Sequence, residues 1–130
     1  MEAFAAARVA RLATVGADGA PHLVPIVFAV VGDVIHTAVD AKPKRTRDLR
    51  RLANIAANPQ VTVLADHYDE DWTQLWWVRA DGTARVLAES PETQDALSAK
   101  YDQYRDKSPE GPFVVITVRR WSSWVAALPL

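Results

Sequence analysis

The chain has no cysteine, one methionine and only five glycines among its 130 residues. The missing cysteine excludes disulfides, thiol catalysis and cysteine-ligated zinc or iron–sulfur centres. No apolar run approaches the roughly 20 residues of a membrane-spanning helix, and the first ten residues lack the basic start of a signal peptide. A net charge of −1 argues against a general nucleic-acid or membrane-surface binder. We therefore expect a cytoplasmic protein with no nucleic-acid, membrane or metal partner.

The remaining composition is that of an ordinary globular protein, with 49% hydrophobic and 24% charged residues. No linker, low-complexity tract or internal repeat divides the chain, so residues 1–130 are predicted to form a single domain. Alternation of apolar and polar residues predicts strands, including one long strand through residues 22–30 and another at 60–67. Residues 73–89 are interpreted as two strands or one bent strand, with Asp81-Gly82 at a turn or bulge.

Helices are predicted at residues 2–8, at 47–58 and after Ser90, whose hydroxyl suits an N-cap ahead of Pro91. The pattern is therefore mainly β with flanking helices. About six strands joined by short turns favour a small closed or half-closed barrel, because closure removes exposed strand edges.

Positive charge is concentrated between Asp40 and Arg51, where six basic residues accompany two aspartates. Pro43 suits the first turn of a helix, because its missing N–H would be unpaired there. Lys42, Lys44 and Arg45 would then lie at the helix N-terminus, where free N–H groups and the helix dipole favour an anion. The segment therefore predicts a phosphate or carboxylate site, and a solvated basic helix end is the alternative.

The five tryptophans are more informative than the three histidines, none of which lies beside a recognisable nucleophile motif. Trp76 and Trp77 must point to opposite faces of their strand, so one can fill the core while the other lines an interface or a planar ligand. Core and dimer packing of all five tryptophans is the alternative. An aromatic wall beside an anion site suits a flat, phosphate-bearing cofactor that would carry the redox chemistry itself.

Three successive segments of the chain carry a family resemblance: ARVARLATVGADGAPHLVPIVFAV, HTAVDAKPKRTRDLRRLANIAANPQVTVLADHYDEDW and LWWVRADGTARVL. Together they resemble the split β-barrel flavin and deazaflavin oxidoreductases, which include the pyridoxine-phosphate-oxidase-like proteins. The similarity is greatest to the actinobacterial branch associated with coenzyme F420. The resemblance implies a six-stranded split β-barrel that forms a homodimer, with two cofactors in grooves between the subunits.

The resemblance also implies site residues. In such proteins a strand that ends in threonine and the basic loop after it hold the cofactor phosphate, which here implies Thr37, Lys42, Lys44 and Arg45. The strand whose backbone follows the ring system corresponds to Pro25, Ile26, Val27 and Phe28. The pattern WVRADG places Trp77 and Arg79 near the cofactor, from the same subunit or from its partner.

The implied activity is hydride transfer from reduced F420 to an unsaturated small molecule, with His22 and Tyr68 as candidate proton donors. Two departures from the flavin members weaken the case for FMN and leave room for the deazaflavin. Ala41-Lys42-Pro43-Lys44 stands where many of them have Ser-Arg-Lys, and Trp77 replaces a polar residue that faces the ring in some of them. The alternatives are an FMN-dependent oxidase or flavin reductase, and a non-catalytic dimer that binds F420 for storage, transport or sensing.

Overall fold

The structure is a computed structural model that describes residues 2–39 and 46–126. Its seven strands are β1 Ala10–Val15, β2 Pro21–Ile26, β3 Ala29–Val31, β4 Val34–Ala38, β5 Gln60–His67, β6 Trp76–Leu87 and β7 Phe113–Val125. Its helices are α1 Glu2–Ala6, α2 Thr46–Ala57, α3 Pro91–Lys100 and α4 Gln103–Asp106. Within the described residues, none of the helices has the length and apolar character needed to cross a membrane.

All seven strands form one antiparallel sheet in the order β2-β1-β5-β6-β7-β4-β3. Strands β2 and β3 lie at opposite edges of this sheet, although only Val27 and Phe28 separate them in the chain. The sheet must therefore curl until its two edges approach, which gives the half-barrel of a split-barrel fold. We refer to Pro25–Phe28 as the crossing segment.

The prediction of one long strand through residues 22–30 is wrong, and the predicted count of six strands is wrong for the same reason. The chain leaves the edge at β2 and enters the opposite edge at β3, so one expected strand is two. Pro25 is compatible with β2 because an edge strand can dispense with one N–H donor.

Strands β6 and β7 are long and bent, as the Asp81-Gly82 pair predicts. Their register shifts between Asp81, which pairs with Arg120, and Gly82, which pairs with Val118. Gly82 is required at this bulge because a Cβ there would lie 2.5 Å from the Thr117 carbonyl oxygen. The bulge confirms the second of the two interpretations of residues 73–89, a single bent strand.

The core has two parts, one inside the curled sheet and one outside it. The inner part contains alternate residues of the strands together with Phe4 of α1 and Ile55 of α2. The outer part lies under α3, where Leu97 and Tyr101 pack on Ala29, Ala38 and Phe113. Strand segments covered on both sides are apolar throughout, which is why simple alternation disappears around residues 113–116.

Candidate functional site

The crossing segment is held through its backbone. The Thr37 hydroxyl donates to the Val27 carbonyl at 2.7 Å, and Thr37 is fully buried in the chain. The Phe28 N–H donates to the Tyr101 hydroxyl at 3.1 Å. The same hydroxyl lies 3.1 Å from the Phe28 carbonyl and 3.0 Å from that of Arg8, so its proton can be donated to either. The structure thus brings predicted residues Val27, Phe28 and Thr37 together.

Lys100 is a second anchor of the crossing segment. Its ammonium donates to the carbonyls of Phe28 at 2.9 Å and Ala7 at 2.7 Å, and it lies 3.8 Å from the centre of the Phe28 ring. Burial, and to a smaller extent the charge of Arg8, lowers the pKa of Lys100 to about 8. Neither Lys100 nor Tyr101 was identified as a site residue from the sequence. Their contacts with Phe28 cross more than seventy residues of chain, and no local spacing indicates them.

A groove lies on the outer face of β2, β1, β5 and β6, with a volume of about 440 Å³. We call it the outer groove, and its lining residues are Arg11, Ala13, Leu23, Thr62, Leu64, Asp66, Tyr68, Trp77 and Arg79. Side chains on one face of a sheet alternate along each strand, so the strand pairing explains this grouping. Pro25, Arg11, Leu64 and Arg79 stand opposite one another in a single row. Pro25 and Arg79 are thus three strands apart on that face, roughly 14 Å.

Arg79 is oriented by its neighbours in the outer groove. Its guanidinium carbon lies 5.7 Å from the centre of the Trp77 ring, within the range of a cation–π contact. Its Nε atom lies 3.6 Å from Oδ2 of Asp81, a partly exposed ion pair. Trp77, Arg79 and Tyr68 are therefore brought together, as the sequence-based site requires for the first two.

His22 lies on the opposite face of β2 from the outer groove. It pairs with Thr14, which is buried and accepts a hydrogen bond from Asn54 of α2 at 3.0 Å. Burial lowers the pKa of His22, and the charges of Arg50 and Arg51 on α2 lower it further. The two candidate proton donors, His22 and Tyr68, are thus separated by the sheet and cannot both reach one ligand bound in the outer groove.

The other predicted site residues either belong to the core or lie outside the described residues. Ile26 is the inward-facing end of β2 and belongs to the core. Lys42, Lys44 and Arg45 lie outside the described residues, so their role as phosphate anchors stays a prediction. The helix predicted at 47–58 is confirmed as α2, Thr46–Ala57.

The family model for pyridoxamine 5'-phosphate oxidase matches residues 1–125 of the chain. The chain belongs to this family. A search of curated proteins found no match to the sequence. Among solved structures, a conserved hypothetical protein from Mycobacterium tuberculosis is similar with 25% identity and a TM-score of 0.69, over 98% of this chain and 84% of that one.

Two further structural neighbours of this pyridoxamine 5'-phosphate oxidase family member differ in what they bind. An FAD-binding protein from Mycobacterium smegmatis is 19% identical, with a TM-score of 0.65 over 98% of this chain and 92% of that one. The haem storage protein of Vibrio cholerae is 16% identical, with a TM-score of 0.60 over 91% and 85%. These similarities show that the proteins share one fold. This fold is the split barrel of the pyridoxamine 5'-phosphate oxidase family, a flavin-binding fold.

The outer groove of this family member fits a flat, anionic ring system. Trp77, Leu23 and Leu64 supply apolar walls on which a ring can lie. Arg11 and Arg79 add two guanidinium groups that can donate to carbonyl, carboxylate or phosphate oxygens. The donor set therefore suits a flavin or a deazaflavin, whose ring is flat and whose substituents are acidic.

Proposed function

We propose that the protein is a homodimeric oxidoreductase that uses coenzyme F420 to reduce an unsaturated small molecule. The observation that carries the proposal is the outer groove, where Trp77 and Arg79 meet Arg11 beside an apolar wall. F420 is the first candidate because Trp77 supplies an apolar surface where some flavin members have a polar residue, and because the segment 40–51 is rich in cations. Bound reduced F420 would supply the hydride.

A second copy of the chain would complete the site. Leu23, Tyr68 and Trp124 are large apolar residues that are 66%, 69% and 43% exposed on this side of the sheet. Apolar residues grouped on one exposed face mark an interface in a protein of this size. A dimer through this face would bury the outer groove between the subunits, so Trp77 and Arg79 would serve the cofactor held by the partner. Burial would also exclude water from the reacting ring.

The chain's own residues would bind and orient the cofactor. The backbone of the crossing segment, fixed by Thr37 and Tyr101, would lie along the ring. Lys42, Lys44 and Arg45 would hold the phosphate, and Arg79 would donate to an anionic group on or near the ring. Tyr68 is the candidate proton donor that the structure places at the outer groove.

Titration of the purified protein with F420, followed by cofactor fluorescence, tests the proposal. We expect saturable binding at tens of micromolar or tighter. Charge-assisted hydrogen bonds contribute about 1.5 to 3 kcal/mol, so Arg79→Gln should weaken binding by roughly ten-fold or more. Arg105→Gln is the matched control, because Arg105 pairs with Asp102 on α4, away from the groove. The absence of saturable F420 binding would refute the proposal.

FMN is the second candidate cofactor, favoured by the family itself and by an FAD-binding neighbour of the same fold. A tightly held flavin would make the purified protein yellow, so visible absorption separates the two cofactors. Haemin belongs in the same titration, because another neighbour stores haem. Tight F420 binding without reduction of a broad panel of enones and quinones would instead indicate a carrier or sensor.

A further inference from the structure

A second cavity of about 560 Å³ lies on the outer face of β3, β4 and β7, beside α3. We call it the α3 cavity. Its floor includes Val34, His36 and Val115, and Arg85 reaches it from β6. Its helix side carries Glu92 and Asp95. Its described lining shares no residue with the outer groove, so it is a separate site rather than part of the proposed cofactor groove.

His36 is buried, 6% exposed, and a short series of hydrogen bonds connects its imidazole to Thr93 and Ser90. The Thr93 N–H donates to Ser90 Oγ at 3.2 Å, which leaves the Ser90 hydroxyl to donate to Thr93 Oγ1 at 2.7 Å. The Thr93 hydroxyl can then donate its own proton to Nδ1 of His36, 2.8 Å away. In the tautomer whose Nδ1 accepts from Thr93, neutral His36 carries its proton on Nε2 and can donate a hydrogen bond to a ligand in the cavity.

Arg85 adds a permanent positive charge on the same floor. His36, Val115 and Arg85 stand opposite one another on β4, β7 and β6, so the imidazole and the guanidinium belong to one row about 10 Å long. The apolar side chain of Val115 lies between them. The floor thus presents two hydrogen-bond donors with a hydrophobic surface in the middle, an arrangement that suits an acceptor or anion attached to an apolar body.

The helix side of the α3 cavity has the opposite charge. Glu92 and Asp95 are three residues apart on α3, so both face the cavity from one side of the helix. Among the described residues, no cluster of three or more histidine and carboxylate side chains is arranged to hold a metal ion, and this includes Glu92, Asp95 and His36. A simple anion would be repelled by these carboxylates, and a simple amine would leave Arg85 and His36 unmatched. A ligand with both charges satisfies both sides.

We propose that the α3 cavity binds a small amphoteric molecule of amino-acid type. Its carboxylate contacts Arg85 and Nε2–H of His36, its ammonium group lies near Glu92 and Asp95, and its apolar part packs on Val34 and Val115. The proposal does not rest on the cofactor function, because the described linings of the α3 cavity and the outer groove have no residue in common.

Three probes with one phenyl ring separate the possibilities: L-phenylalanine carries both charges, phenethylamine only the amine and 3-phenylpropionate only the acid. Binding is followed by NMR shifts of the His36 ring and of the Val115 amide. We expect saturable shifts with L-phenylalanine, at a dissociation constant at least ten-fold lower than that of either singly charged analogue. Arg85 is exposed, and Arg85→Gln should weaken L-phenylalanine binding ten-fold or more.

Arg105→Gln on α4 is the control and should leave the L-phenylalanine affinity unchanged. The wild-type titration with F420 is run in the presence and absence of L-phenylalanine, so that a failure of one site is distinguished from a failure of the other. Equal binding of the three probes, no saturable shift at 10 mM (on the order of the weakest specific affinities), or an unchanged affinity in Arg85→Gln would overturn the proposal.

Discussion

Replacing Tyr101 by phenylalanine removes a single oxygen atom from the contact that holds the crossing segment. The Phe28 N–H donates to this oxygen at 3.1 Å, and Phe28 is fully buried, so water has no access to replace the lost acceptor. A buried donor left unsatisfied costs about 1 to 3 kcal/mol, and the bond donated by the hydroxyl contributes about 1 kcal/mol more. The ring itself stays packed. We therefore expect Tyr101→Phe to lower the free energy of unfolding by about 2 to 4 kcal/mol.

Urea unfolding at a fixed protein concentration measures this loss. A protein of this size has an m-value of about 2 kcal/mol/M, so the unfolding midpoint should fall by about 1 to 2 M with m unchanged. Tyr68→Phe is the matched control, because Tyr68 is 69% exposed and water can replace the contacts of its hydroxyl. Surface changes of this kind usually lie within about 0.5 kcal/mol of zero.

The same variant also connects stability to the proposed function. If the crossing segment lies along the cofactor ring, loosening Phe28 should weaken F420 binding several-fold. Any effect of Tyr68→Phe on F420 binding would instead come from the contacts of Tyr68 itself, at the other end of the outer groove. A midpoint within about 0.2 M of the wild type would refute the reasoning about the buried N–H. A clear loss of stability with unchanged cofactor affinity would show that the crossing segment is structural only.

Two further changes test other parts of the fold. Burial lowers the pKa of Lys100 from 10.5 to about 8, so the unfolded chain binds more protons between these pH values and the contribution of Lys100 to stability should rise across that window. Because Lys100 is partly exposed and solvent screens its charge, the expected rise in the free energy of unfolding is on the order of 1 to 2 kcal/mol. Urea unfolding of wild type and Lys100→Met at pH 7, 9 and 10.5 should show this rise only in the wild type. Gly82→Ala should lower the melting temperature by roughly 5 °C or more, because a Cβ 2.5 Å from the Thr117 oxygen forces the bulge to move; an unchanged melting temperature would show that the bulge relaxes freely.

Local patterns in the sequence predicted the elements whose signals are local. Ser90 caps α3, since its Oγ accepts the Thr93 N–H at 3.2 Å, and Asp81-Gly82 marks the position of the bulge between β6 and β7. The break after Ile26 could not be predicted in this way. Both faces of residues 22–30 are largely apolar whether the chain runs straight or crosses from one sheet edge to the other, so periodicity carries no signal for the change of edge.

In the candidate site too, the features that depend on neighbouring residues were predicted and those that depend on distant pairings were not. Trp77 and Arg79 lie on one face because they are two residues apart on one strand, which the sequence shows directly. Their meeting with Arg11 and Leu23 depends on the sheet order β2-β1-β5-β6, which is set by pairings between distant segments. Lys100 and Tyr101 were missed for that reason, because their polar groups contact a backbone more than seventy residues away.

Backbone hydrogen bonds anchor the crossing segment, so the residues that shape the site differ from those that would select its ligand. Thr37, Lys100 and Tyr101 all form hydrogen bonds with backbone atoms of Val27 and Phe28, so these hydrogen bonds do not require particular side chains on this segment. A fold built in this way can keep its geometry while the side chains of the outer face vary, and neighbours that bind FAD or store haem share it. Ligand preference in this chain should therefore reside in groups that face the groove, above all Arg79 and the Trp77 ring beside it.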